Sequence, residues 1–158
     1  VAVIVAGRSG AAFPAQIGTM KVQDEIDAIS TLGLSPLQVL VIPRLAALLV
    51  ALPLLVFVGD VAGIAGGMTI TAVQLDISFG TFIDRLHATL PMSAFKVGMI
   101  KAPVFAAFIA IIACRMGLLV ARDARSVGLN TTSTVVQCVV WVILLDAVFA
   151  VLFERMGI

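Results

Sequence analysis

Charge is what this sequence has least of. Only 12% of its 158 residues are Asp, Glu, Lys or Arg, about half the share of an ordinary soluble domain. The net charge is +1, with no run of Lys and Arg and no basic face interleaved with aromatics, so no nucleic acid partner is expected. Histidine occurs once, at His87, with no carboxylate or nucleophile at a telling spacing, and reads as an interfacial polar residue. Cys114 and Cys138 stand apart in apolar runs without metal-ligand spacing, so they read as small buried hydrophobes and no metal site is expected. Phosphate-binding loops of the GxxxxGKT type, HExxH and GxSxG are all missing, as is any carboxylate pair placed for acid-base work. The chain is therefore expected to have no catalytic site of its own. Any energy it uses would come from ATP hydrolysed by another subunit or from an ion gradient.

What fills the space is apolar. Hydrophobic residues make up 61% of the chain and the mean hydropathy is +1.19, which predicts an all-α integral membrane protein. The periodicity divides residues 1–158 as one unit. Residues 1–6 read as the last turns of a membrane helix, 7–36 as a polar island on one side, and 37–73 as a membrane helix whose core is Leu37 to Val58. Residues 74–93 read as an interfacial segment on the other side, 94–120 as a membrane helix, 121–133 as a loop on the island's side, and 134–155 as the last membrane helix. Because position 1 is valine and the opening run looks like the end of a helix, the chain is read as the C-terminal part of a longer protein.

The island is the most structured polar stretch. Phe13, Ile17 and Met20, then Val22, Ile26 and Ile29, recur at helical spacing, while Lys21, Gln23, Asp24, Glu25 and Asp27 take the other faces. This predicts an amphipathic helix ending near Leu32, with Gly33 in the left-handed position and Ser35-Pro36 starting the next helix. Pro14 and Gly18 are expected to bend or split its early part, and Pro53 to kink the first span. Gly59, Gly63, Gly66 and Gly67 form a small-residue surface that would let a second helix approach closely. Phe79, Phe82, Ile83 and Leu86 mark the apolar side of a helix at the membrane surface. Asn130 or a following threonine is the expected N-cap of the last helix.

Three ionisable residues fall inside apolar runs, where charge is costly and is usually paired or functional: Asp60, Lys101 and Asp146. In antiparallel spans Lys101 lies about 10 Å and Asp146 about 14 Å from the outer helix ends, by the 1.5 Å rise. Matching depth predicts an intramembrane pair that fixes how the last two helices pack. Placing the island in the cytoplasm puts Arg8, Lys21, Arg44, Arg115, Arg122 and Arg125 inside and Arg85, Lys96, Lys101 and Arg155 outside, a small inside excess in the expected direction.

The run GRSGAAFPAQIGTMKVQDEIDAISTLGLSPLQVLVIPR resembles the signature region of the MlaE family, permease subunits of ABC transporters that move phospholipids or related lipids between the membranes of diderm bacteria and plastids. The likeness rests on Gly7-Arg8 with Gly10, Ala15 to Gly18, Thr19-Met20, Glu25-Ile26-Asp27-Ala28, Gly33 with Pro36, and Pro43-Arg44, and it continues through Gly63 to Gly67, Lys101 and Asp146. It implies a polytopic helical permease whose island is a coupling helix docked on a P-loop ATPase. Arg8, Met20, Lys21, Asp24, Glu25, Asp27 and Ile29 would serve that coupling, with Met20 to Leu32 as the docking face. The resemblance also implies a second copy of the chain, an MCE-type lipid-binding protein on the outer side, a lipid substrate held between the copies, and the bacterial inner membrane as location. This chain would bind no cofactor, and ATP and Mg would be used by the partner ATPase. Gln16 stands where the family usually has Glu, which leaves an ion pair there in question, and Pro14 shifts the start of the helix. Two rival readings are an ion-coupled secondary transporter or channel, enlisting Asp60 and Asp146, and a membrane scaffold without transport.

Overall fold

The computed structural model describes residues 1–90 and 92–156, and every regular element among them is helical. In chain order these are α1 (Ala2–Val22), α2 (Glu25–Thr31), a π-helical turn (Leu37–Val41) leading straight into α3 (Ile42–Leu75), α4 (Phe79–Thr89), α5 (Met92–Leu118) and α6 (Ala124–Met156). Pro91, at the expected close of the outer segment, and residues 157–158 lie outside the described residues.

Three stretches are long and apolar enough to cross a bilayer: Leu37–Leu75, Phe95–Leu118 and Ala124–Arg155, with mean hydropathies of 2.5, 2.2 and 2.6. The molecule is an all-α polytopic membrane protein, as its composition predicts.

Helix α1 packs against both α5 and α6, and α3 packs against α5. Small residues make these approaches possible. Ala102, Ala106, Ala110, Ala113 and Gly117 run down one face of α5 at spacings of three and four, and the four alanines are almost fully buried. Gly10 of α1 faces Cys138 of α6, where an added methyl would lie 3.3 Å from the sulfur. Around them Ala6, Leu48, Leu52, Phe105, Ile109 and Val142 close a core shared by α1, α3, α5 and α6. The antiparallel register of α5 and α6 is constant along their length. The Cys138 thiol lies 4.0 Å from the Ile109 carbonyl, and eight residues further along each helix Lys101 meets Asp146.

Several local expectations are corrected. The first half of the island is not a surface segment: Gly7 to Val22 continues α1, with Gly10, Pro14, Ile17 and Gly18 buried. Pro14 does not split the helix, because it occupies the tight contact with Gly117 that a larger facing residue would prevent. The break comes instead at Gln23–Asp24, where Asp24 takes a left-handed conformation with φ 58°, one that a short polar side chain tolerates. An added methyl at Gly59 would lie 2.7 Å from the Val1 side chain at the start of α1, and one at Gly67 3.9 Å from the Phe82 ring, whereas Gly63 and Gly66 meet nothing within 4 Å, so among the described residues only Gly59 of the glycine surface is closely approached. The last helix starts ten residues earlier than expected. Asp123 caps it by accepting from the Ser126 amide, and Asn130, expected as the cap, sits inside the helix.

Other expectations match the structure. Gly33 has φ 77°, and Leu34 donates back to the Ile29 carbonyl at 3.2 Å, closing α2 as a Schellman turn. A cap not expected from the sequence is Ser78, which accepts from the Thr81 amide at the start of α4. By contrast Pro53, expected to kink the first span, does not interrupt α3, which stays helical from Ile42 to Leu75.

Candidate functional site

Two groups of residues hold the chemistry that the sequence singles out. The first is the short helix α2 and what surrounds it. Apolar residues fix its inner face: Ile26 is buried in a cluster with Ile17, Leu40 and Cys114, and Ile29 and Met20 pack against the same cluster. Both Met20 and Ile29 are half-buried, packed on the body of the molecule along part of their surface. Lys21 is likewise turned inward, its Nζ donating to the Leu118 carbonyl at 2.6 Å and satisfying one of the free carbonyls at the end of α5. Asp24 and Asp27 share one partner, Arg122 of the α5–α6 turn. The Arg122 Nη1 lies 3.3 Å from the Asp24 carboxylate, and its Nη2 pairs with Asp27. Glu25 and Arg8 are exposed, and neither forms an ion pair among the described residues.

A second contact was hidden in the departure at position 16. Arg44, one turn into α3, donates to the Gln16 side-chain oxygen at 3.3 Å and stacks over the Phe13 ring at 5.8 Å. Its Nη1 is buried without a hydrogen-bond partner among the described residues. A guanidinium here faces a neutral amide where a carboxylate would complete it.

The second group lies toward the opposite end of the molecule. Lys101 Nζ is 3.1 Å from the Asp146 carboxylate, and the ammonium also sits 5.8 Å and 5.6 Å from the ring centres of Phe149 and Phe153. The lysine side chain is 17% exposed and that of the aspartate 61%, so the pair is open on its acidic side. A carboxylate and two stacked rings thus replace much of the lysine's lost hydration. Asp60, the third ionisable residue, is exposed on α3 and joins neither group. Between α5 and α6 a cavity of about 290 Å³ is lined by Phe108, Ile111, Ile112 and Trp141, with Arg115 and Gln137 at its edge. Among the described residues no group of three or more His, Cys, Asp or Glu is placed to hold a metal.

What sequence reasoning missed was the partner side of α2. The sequence marks Arg122 only as one of the charges on the island's side, and no spacing rule connects positions 95 residues apart. The alanine and glycine face of α5 was missed as well, although its spacing of three and four residues is a signal that could have found it.

Residues 1–152 match the family described as Permease MlaE. A probable ABC transporter permease protein of Rickettsia bellii is 35% identical over 152 residues, covering 96% of this chain and 59% of the relative. The chloroplastic protein trigalactosyldiacylglycerol 1 of Arabidopsis thaliana is 35% identical over 151 residues, covering 96% of this chain and 43% of its own length. A probable ABC transporter permease protein of Synechocystis is 37% identical over 135 residues, or 85% of this chain and 51% of the relative. The chain thus spans about half the length of these curated relatives. The match runs from the buried helix α1 through the α2 element to the last membrane helix, and the chain belongs to the MlaE permease family.

Proposed function

We propose that this chain is the membrane-spanning portion of an ABC permease that moves phospholipid or a related lipid between membranes, driven by a separate P-loop ATPase that docks at α2. The observation that carries this reading is the construction of α2. It is a seven-residue helix seated on the bundle by Ile26, ended by the Gly33 turn, and followed within a few residues by the longest apolar helix among the described residues. A short, stiffly seated element on a membrane helix is what transmitting motion from a soluble engine requires. ATP and Mg belong to that engine. This chain is a transport subunit with no catalytic site of its own.

Lipid as the cargo is supported by apolar walls such as the cavity beside Phe108 and Trp141, which give acyl chains contact area without hydrogen-bond demands. The Arabidopsis relative, which carries the name of the lipid trigalactosyldiacylglycerol, points the same way. The working assembly is two copies of the permease in a bacterial inner membrane, two ATPases on the α2 side and an MCE-type lipid-binding protein on the other. The exposed glycine face of α3 and the open acidic side of the Lys101–Asp146 pair are the surfaces left for the second copy or the lipid.

Affinity purification of the full-length permease in mild detergent, with mass spectrometry of co-eluting proteins and lipids, tests this. A stoichiometric ATPase with bound phospholipid is the expected result. A clean oligomer with neither would overturn the reading and turn attention to ion flux through Asp60 and Asp146.

A further inference from the structure

We propose that Arg122 is a positioning residue that fastens α2 to the first turn of α6, so that the docking element and the α5–α6 hairpin move as one body. This rests on the docking reading above and adds the route by which a displacement of α2 would reach the membrane helices.

Three observations converge on the turn at residues 119–123. It is tied to the end of α1 by Lys21, which donates to the Leu118 carbonyl at 2.6 Å. Val120 is fully buried over Gly18, where an added methyl would lie 3.2 Å from its side chain. Arg122 then reaches across to α2 and holds Asp24 and Asp27 at once with the two arms of its guanidinium. The next residue, Asp123, caps α6 through the Ser126 amide, so a pull on Arg122 acts directly on the start of that helix.

The alternative connections of α2 are weaker as levers. Toward α1 the chain leaves helical geometry at Gln23–Asp24, a break that works as a joint. Toward α3 it passes through the left-handed Gly33 and the non-helical residues before the π-helical turn. Each exposed ion pair adds little stability by itself. A planar fork gripping the cap residue and the first turn of α2 at once fixes the orientation of that helix, which is a geometric constraint more than an energetic one.

The test uses the full-length permease with its co-expressed ATPase in nanodiscs of phosphatidylethanolamine and phosphatidylglycerol. Spin labels go on the exposed positions Ala28 and Leu129 as Ala28→Cys and Leu129→Cys, since the native cysteines are buried. Pulsed electron resonance then gives the α2–α6 distance without nucleotide and with ATP trapped by vanadate. One narrow distance, unchanged by trapping, is expected in the parent, and a broadened or nucleotide-dependent one in Arg122→Gln. The swap of Arg122→Asp with Asp27→Arg should restore the narrow peak, which generic destabilisation would not do. If Arg122→Gln fails to accumulate, Asp24→Asn with Asp27→Asn removes the same grip from the other side. An Arg122→Gln distribution matching the parent in both states, or a parent distance that changes on trapping, overturns the proposal. Absence of the ATPase from the purified parent would instead overturn the docking reading, and the nucleotide-free comparison would still judge the grip.

Discussion

A methyl group added at Gly117 would lie 2.8 Å from Ile17 Cβ and 3.0 Å from the backbone of Pro14. Neither neighbour is the loose end of a flexible side chain, so α1 and α5 must separate. Gly117→Ala is expected to destabilise by about 1–3 kcal/mol, the usual range for overpacking. Gly10→Ala, whose new methyl meets the movable Cys138 sulfur at 3.3 Å, should cost less, and Gly63→Ala, with open space around it, should leave thermal unfolding in detergent unchanged. A larger shift at Gly63 than at Gly117 would contradict this packing. Position 16 makes the opposite case. Gln16→Glu would give the half-satisfied Arg44 a carboxylate, and a stabilisation of up to about 1 kcal/mol is expected from a partly exposed pair. The same change combined with Arg44→Gln should show no gain.

At the scale of helices, the Lys101–Asp146 contact joins α5 to α6 in the apolar part of both. Leaving either charge alone there is worse than removing both. Lys101→Met and Asp146→Asn should each lower the melting temperature by several degrees, on a scale of about 2–4 °C per kcal/mol, while the double variant recovers most of the loss. Additive losses would mean that the two residues act separately. The depth of this pair was legible because membrane helices convert sequence distance into height at a fixed rise. The end of α2 was legible for a similar local reason, since Gly33 acts on residues within one turn. The course of α1 was not. Arg8, Pro14, Gln16 and Lys21 make its second half look polar and broken, yet Ile17, Gly18 and Pro14 face α5 and the following turn, where proline's missing donor matters less than close contact. Helix period alone could not tell a face that docks from a face that is buried.

For the whole molecule, membrane class and family could be read from composition and one long motif, whereas the distribution of charge around α2 needed three-dimensional neighbours. The acids expected to face an ATPase divide in two. Asp24 and Asp27 are engaged by Arg122, and Glu25 stays exposed. Glu25→Lys is therefore expected to reduce co-purified ATPase by roughly tenfold, equivalent to about 1.4 kcal/mol. The neutral Asp27→Asn should leave association intact and act on the Arg122 grip. If Glu25→Lys retained full association, the outward face of α2 would not be the docking contact.

The helix from Leu37 to Leu75 is 39 residues long, about 58 Å from end to end at 1.5 Å per residue. A bilayer with its headgroups is about 40–45 Å thick, and membrane helices lean by about 20° on average and seldom beyond 40°. Only at the steepest of those angles does such a rod fit within the lipid, and at the mean angle about two turns stand clear of it. The Leu75 end carries Ile70, Val73 and Leu75, which are 59%, 82% and 67% exposed. Were this end the one that stands clear, its apolar side chains would need a protein to cover them in place of lipid.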